Sequence, residues 1–261
     1  MPPTAWSNGD HYESYMGRWS RQVATEFVDW IDAPPKSRWL DVGCGTGALT
    51  EAIAHSAAPS DLVGIDPSAS FVDFARERLS DRAWFEVAGA TSIPLEENSV
   101  DVAVSGLVLN FVPDLVRALA EVARVVTVGG TAGAYLWDYS RGSHFLDVFW
   151  KTASELDAAA RDFYESKRFG GWSSDRLSQL FAGIGSRVET RSIVIPTVFA
   201  NFDDYWLPFS GGQGPSPTYL QGLSDSQREA LRDLLRERVS AEADGSVVLE
   251  ARALAVRCSV R

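Results

Sequence analysis

Leu40-Asp41-Val42-Gly43-Cys44-Gly45-Thr46-Gly47 separates two different periodicities. Before the glycines, Arg38 to Val42 is an apolar run of strand length; after them, Ala48 to Ala57 repeats apolar residues at helical spacing. The reading is strand, glycine loop, helix. Glycines at Gly43, Gly45 and Gly47 allow a sharp turn and remove side chains that would keep a ligand off the backbone. The helix that follows offers unpaired N–H groups and the positive end of a dipole, a natural seat for a carboxylate.

The unit repeats downstream. Asp61 to Ile65 reads as a second strand and Ser68 to Leu79 as its helix; Ala83 to Ala88 and Val100 to Ser105 read as strands three and four. Pro113 to Val126 is a helix with Leu115, Leu119, Val122 and Val126 on one face and Pro113 in its first turn, ended by Gly129-Gly130. Thr131 to Trp137 is then a fifth strand. Strands alternating with helices predict an α/β fold, a doubly wound, mainly parallel sheet with right-handed crossovers, and ligands beyond the carboxyl ends of the strands.

Beyond Trp137 the alternation stops. Phe145 to Phe163 and Ser173 to Phe181 read as helices and Arg187 to Ile195 as a strand. Phe199 to Tyr219 is aromatic and broken by Gly and Pro, hence loop or short helix. Ser224 to Glu242 is a helix opened by a Ser224…Gln227 capping box. Val247 to Val260 is apolar on both alternations, as in a strand covered on both faces and inserted into the sheet. Upstream, Tyr12, Tyr15, Trp19, Val23, Phe27 and Trp30 fall at three- and four-residue steps within Gly9 to Ile31, predicting an amphipathic helix on the sheet.

Composition narrows the partners. The 261 residues are 45% apolar and 23% charged, enough for one α/β domain with additions. Lys plus Arg total 24 against 35 Asp plus Glu, a net charge of -11 that repels phosphate backbones and anionic lipid surfaces, so no nucleic acid or membrane partner is expected. Two cysteines, Cys44 and Cys258, are too few for a disulfide framework or a zinc site, and no metal is expected. No leader-like start and no run of roughly 18 apolar residues is visible, which predicts a cytoplasmic protein.

Asp66 ends the second strand, after Gly64-Ile65, where an acid can accept from both hydroxyls of a ribose. Its alternative reading is an ordinary helix N-cap. Nicotinamide enzymes use a related loop, but their glycines follow G-x-G-x-x-G, whereas here the spacing is G-x-G-x-G after Asp41; the lysine of a P-loop is missing as well.

With these features assembled, the chain resembles the class I S-adenosylmethionine methyltransferases, in the small-molecule branch that includes ubiquinone/menaquinone-biosynthesis-like and trans-aconitate-like enzymes. LDVGCGTG, GIDPS, ATSIPLEENSVDVAVS, VLNFVPD and ARVVTVGG carry the resemblance, from about Trp39 to Trp137. It implies S-adenosyl-L-methionine as cofactor, S-adenosyl-L-homocysteine as product, and a seven-stranded sheet of order 3-2-1-4-5-7-6 whose last strand is antiparallel. It implies that Asp41, Gly43, Cys44, Gly45 and Gly47 line the methionine and ribose portion, that Asp66 holds the ribose, and that Pro67 and Ser68 border the adenine. Ser105 and Gly106 would face the sulfonium. An acid common in the family before the residue matching Ala90 is here Gly89, which leaves adenine recognition to the backbone around Ala90 and Thr91. The chain then divides as a single domain over 1–261, with an N-terminal helical lid (1–35), a cofactor-binding core (36–140), substrate-side helices, sixth strand and helical cap insertion (141–246), and the last strand (247–261).

Methyl transfer from a sulfonium asks the protein for alignment and a dry pocket, and for a base only when the acceptor must lose a proton. The three histidines are His11, His55 and His144; His55 falls on the first crossover helix, and His144 is the better candidate base, its alternative being a solvated loop residue. Tyr15, Arg18 and Trp19 would touch cofactor or acceptor from the lid, and Tyr15 joins His144 as a catalytic candidate. Asn110, in VLNFVPD, and Trp137, at the end of the fifth strand, are acceptor-side candidates. Tyr205 and Trp206, with Phe202, Phe209 and Tyr219, either roof a pocket for a flat acceptor or pack a cap. A catalytically silent S-adenosylmethionine-binding protein and a nicotinamide-dependent oxidoreductase are the competing readings; the acceptor and the oligomeric state, monomer or homodimer, stay open.

Overall fold

A computed structural model describes residues 17–139, 144–164, 167, 169–210 and 215–261. In chain order the elements are α1 (Arg18–Ile31), β1 (Arg38–Val42), α2 (Ala48–Ser56), β2 (Asp61–Asp66), α3 (Ala69–Leu79), β3 (Trp84–Val87), β4 (Val100–Gly106), α4 (Leu115–Val125), β5 (Val126–Trp137), α5 (His144–Leu156), α6 (Ser174–Ala182), β6 (Gly185–Phe199), α7 (Phe202–Ser210), α8 (Pro215–Gln221), α9 (Asp225–Arg238) and β7 (Val247–Val260). No helix among the described residues is long and apolar enough to cross a membrane.

The described strands form one seven-stranded sheet of order β3-β2-β1-β4-β5-β7-β6. β1, β2, β3, β4 and β5 are parallel along it, and β7 runs antiparallel to β5, from Thr131↔Ser259 to Trp137↔Ala253. This is the predicted order. The parallel strands need crossovers, and the helices that supply them cover the sheet; β1, β4 and the β5 segment Ala132–Trp137 are accordingly buried almost throughout. Arg38, opening β1, grips the carboxylate of Asp101 in β4 at 2.7 and 3.1 Å and fixes their stagger.

Contacts divide the chain into two compact units, the described parts of 20–137, 173–193 and 253–261 forming one, and those of 17–19, 138–172 and 194–252 the other. In the first unit, α1 buries Val23, Ala24, Phe27, Val28 and Ile31. Phe27 lies 4.8 Å from the Tyr135 ring, ring centre to ring centre, and a Cβ on Gly133 would stand 2.7 Å from Ile31 Cδ1, so this glycine is what admits the helix. Burying a side chain such as Phe27 contributes about 1.5–3 kcal/mol.

Two local expectations are corrected. Gly129-Gly130 does not end the helix: α4 stops at Val125 and the glycines lie inside β5, where the pairing with β4 shifts register between Val100 and Val102. Gly129 takes φ +85°, and a Cβ on Gly130 would meet the Asp101 carbonyl at 2.6 Å, so the pair serves an irregularity in the strand. Pro113 precedes the helix instead of sitting in its first turn, because Asp114 is the cap and accepts from Arg117 N–H. The Phe199–Tyr219 segment contains the short helices α7 and α8, and the Ser224/Gln227 capping box opens α9 as expected.

Candidate functional site

β1 ends at Val42, and the chain then turns with Gly43, Gly45 and Gly47 at φ +79°, +53° and +92°, values that side-chain-bearing residues adopt only under strain. The N–H groups of Gly43 and Cys44 both donate to Ile65 O, at 2.7 and 2.9 Å, stapling the turn to the end of β2. Gly47 precedes α2 as its N-cap, without a side-chain hydrogen bond at the helix start. A Cβ on Gly43 would press on Val108 at 2.6 Å, whereas one on Gly45 would meet nothing within 4 Å. Gly43 is therefore glycine for packing against the chain itself, and Gly45 faces open space.

Two carboxylates flank this turn. Asp41 is fully buried; its Oδ2 accepts from the Thr50 hydroxyl at 2.7 Å and its Oδ1 has no hydrogen-bond partner. Burial pushes its carboxyl up to about 7; the Thr50 hydroxyl opposes this and the neighbouring Asp66 charge adds to it. Asp66, ending β2, accepts from Gly45 N–H at 3.1 Å through Oδ2 and from Ser68 N–H at 2.8 Å through Oδ1. Burial raises its pKa, and these two N–H groups hold it down. The N-cap of α3 is Ser68, not Asp66, so the helix-cap alternative for Asp66 does not describe what this side chain does. Pro67 beside it is exposed. Cys44 is buried, and burial raises its thiol well above the ordinary range, so it is no nucleophile.

The other candidates of this unit follow along the carboxyl ends of the next strands. Ala88 N–H donates to Asp66 O at 3.1 Å, bringing Gly89, Ala90 and Thr91 alongside β2; Arg117 Nε binds Thr91 O at 2.9 Å. Glu121 and Arg124 of α4 secure the chain beyond it, through Ile93 N, Ile93 O and Leu95 O. Ser105 is buried with its hydroxyl donating to Val42 O at 2.8 Å, and Gly106 is pressed so closely by Tyr135 that a Cβ would lie 2.6 Å from the phenol oxygen. Asn110 sits half-buried in a 3-10 turn, Leu109–Phe111, and Trp137 is buried at the end of β5. The twelve cofactor candidates named in the sequence reading lie at or just beyond the carboxyl ends of β1, β2, β3 and β4. That reading missed Thr50, Val108 and Tyr135; a polar residue on the buried face of α2, beside Leu49, Ala52 and Ile53, was the available signal for Thr50.

Arg18, Trp19, Tyr205 and Trp206 belong to the second unit. Trp19 is buried edge-on to Phe199, 5.2 Å away; the Arg18 guanidinium lies over both rings and pairs with Asp204 at 3.1 Å. Tyr205 is fully buried, its hydroxyl donating to Phe145 O at 3.0 Å and its pKa pushed up by burial. Trp206 is also buried. These side chains pack an aromatic interior with Phe149 and Phe209, stacked at 4.4 Å. His144 opens α5 on its backbone; its side chain, together with Tyr15 and His11, lies outside the described residues.

Chemically, the first unit presents a helix start suited to an anion, a buried carboxylate oxygen lacking a donor, and a second carboxylate already oriented by two N–H groups, around a turn bare of side chains. Comparisons with known proteins agree with this pattern. Residues 40–133 match the family model described as a methyltransferase domain. The biotin biosynthesis bifunctional protein BioHC of Cellvibrio japonicus is 31% identical over 230 residues, covering 87% of this chain and 43% of that protein. A demethylmenaquinone methyltransferase of Lactiplantibacillus plantarum is 31% identical over 117 residues, 42% of this chain and 48% of that protein. The chain spans less than half the length of these relatives. Among solved structures, Haemonchus contortus phosphoethanolamine N-methyltransferase 2 in complex with S-adenosyl-L-methionine has a TM-score of 0.59 at 14% identity, over 97% of this chain and 57% of that one, a likeness of fold.

Proposed function

From the match of residues 40–133 to the family model described as a methyltransferase domain, we propose that this chain transfers a methyl group from S-adenosyl-L-methionine to a small-molecule acceptor. The observation that carries the reading is the bare turn at Gly45, with Asp66 held against its N–H and the unpartnered Oδ1 of Asp41 behind it.

The residues suit that cofactor. A buried carboxylate oxygen with no donor is satisfied by an ammonium, and the uncapped start of α2 by a carboxylate, the two charges of an amino-acid tail. Asp66 keeps lone pairs for the ribose hydroxyls, with Pro67 and Ser68 bordering the base and backbone around Ala90 and Thr91 meeting its edge. Gly43, Cys44 and Gly47 shape the turn, and Ser105 and Gly106 would face the reacting end of the bound cofactor. When bound, S-adenosyl-L-methionine supplies a methyl group on a sulfonium, activated for in-line displacement. The chain's own part is alignment and exclusion of water, with Asn110 and Trp137 the acceptor-side candidates of the first unit and a base needed only where the acceptor must lose a proton.

Similarity to a demethylmenaquinone methyltransferase puts quinols first among acceptors to try, followed by phenols and carboxylic acids. The net charge of -11 disfavours nucleic acid, and we place the protein in the cytoplasm. Calorimetric titration with S-adenosyl-L-methionine and with NADH tests the cofactor: saturable binding of the first alone is expected, and binding of NADH alone would overturn the assignment. Release of S-adenosyl-L-homocysteine with one of those acceptors then separates an enzyme from a silent binding protein.

A further inference from the structure

We propose that Thr50 is a positioning residue for the cofactor: by pinning one oxygen of the Asp41 carboxylate, its hydroxyl presents the other oxygen to the ligand's ammonium. The inference rests on the cofactor reading above and extends it to a residue outside the glycine turn.

The geometry is closed on one side and open on the other. Thr50 and Asp41 are both fully buried, so their 2.7 Å hydrogen bond is made away from water. Asp41 Oδ1 is equally buried and has no partner, a state that costs free energy until a donor arrives. Thr50 lies in the first turn of α2, which begins directly after Gly47, so the turn and the hydroxyl are placed by the same helix.

The electrostatic surroundings make the hydroxyl matter. Among the described residues, Asp66, from the end of β2, and the buried Cys44 thiol, within the turn, are the titratable groups that interact with Asp41, and neither brings positive charge. The residues paired with Asp41 in the adjacent strands, Gly64 and Val104, bring none either. Burial lifts the Asp41 carboxyl to about 7, and the Thr50 hydroxyl is the strongest influence opposing that rise. Ammonium binding favours the carboxylate, so affinity for an amine-bearing ligand should climb as pH rises through this range.

The test compares S-adenosyl-L-homocysteine, which carries the amine, with 5′-methylthioadenosine, which lacks the amino-acid tail, by calorimetry from pH 5.5 to 8.5. In the wild-type protein, affinity for the first should rise through about pH 7 relative to the second; titration of Asp66 at the sugar affects both ligands alike and drops out of the ratio. Thr50→Val should move that rise upward by about one pH unit, lowering affinity at pH 6.5 about tenfold. Thr50→Ser, which keeps the hydroxyl, should restore the wild-type profile. A Thr50→Val protein with an unchanged profile, or one that loses both ligands equally at every pH, would overturn the proposal. So would a wild-type ratio independent of pH, which needs no variant to fold. Failure of the wild-type protein to bind either nucleoside would instead sink the cofactor reading itself.

Discussion

Asp66 Oδ2 stands 3.1 Å from Gly45 N and accepts its hydrogen, so the acid ending β2 and the barest point of the turn after β1 are one structural unit. The same carboxylate orients Ser68 N–H through Oδ1, at 2.8 Å. A side chain fixed by two backbone donors has lost its rotamer freedom before any ligand arrives, which is how a short acid becomes a selective grip.

Replacing Asp66 by Ala removes both the acceptors offered to the sugar and the brace on Gly45. Hydrogen bonds to a charged group contribute about 1.5–3 kcal/mol each, so losing both should lower S-adenosyl-L-homocysteine affinity by at least about 100-fold. Calorimetry on a variant whose melting curve shows it folded checks this; unchanged affinity would place the sugar elsewhere.

Gly45 and Gly43 separate binding from stability. Alanine at Gly45 meets nothing within 4 Å and bears only the strain of φ +53°, about 1–2 kcal/mol. The variant should fold and bind cofactor poorly, because its methyl group projects into the space a ligand needs. Alanine at Gly43 carries the same strain and must also displace Val108, from 2.6 Å, at a further cost of ~1–3 kcal/mol. Denaturant melts should therefore rank Gly43→Ala below Gly45→Ala, while titrations detect the binding loss in both.

The elements legible in the sequence are those in which one pattern admits one structure. Apolar residues on both alternations of Val247 to Val260 mark a strand covered on both faces, and β7 has those limits. Gly129-Gly130 was ambiguous because glycine both stops helices and permits strand irregularities, and only the register of β4 against β5 decides between them. Tyr205 and Trp206 show the limit at the site: an aromatic stripe has the same composition whether it roofs a pocket or fills an interior, and here both side chains are buried. Thr50 escaped notice because its partner, Asp41, belongs to another element, and side-chain pairing across elements leaves no periodic trace.

Asp41 predicts a pH-dependent conflict between stability and binding. Its folded pKa is raised to about 7 from an ordinary 3.8, so in the unliganded protein this group favours folding below about pH 4 and withdraws that stability as pH rises to 7. Asp41→Asn removes the charge while keeping the shape. Its melting temperature relative to wild type should be higher at pH 8 than at pH 5, although it binds S-adenosyl-L-homocysteine more weakly at pH 8. Equal differences at the two pH values would mean that the wild-type carboxyl is not carrying a buried charge.

The segment after β3 is held from outside by Arg124, whose guanidinium binds Glu121 at 2.8 Å, Leu95 O at 2.8 Å and Ile93 O at 2.9 Å, while Glu121 also accepts from Ile93 N–H. The hydrogen bonds from Arg124 come first among the causes that lower the Glu121 carboxyl to about 2. A depressed carboxyl gives stability that is complete above its ordinary 4.5 and disappears as pH falls through 2. Arg124→Ala should therefore cost about 1–3 kcal/mol at pH 7, with the deficit against wild type narrowing by pH 3 as Glu121 protonates in the variant and begins to do so in the parent. Because the same segment begins at Gly89, Ala90 and Thr91, cofactor affinity should weaken only a few-fold, since Arg117 still binds Thr91 O at 2.9 Å. Chemical denaturation at the two pH values checks the first expectation; a deficit that grows in acid would show that Arg124 stabilises the chain through its carbonyl contacts and not through Glu121.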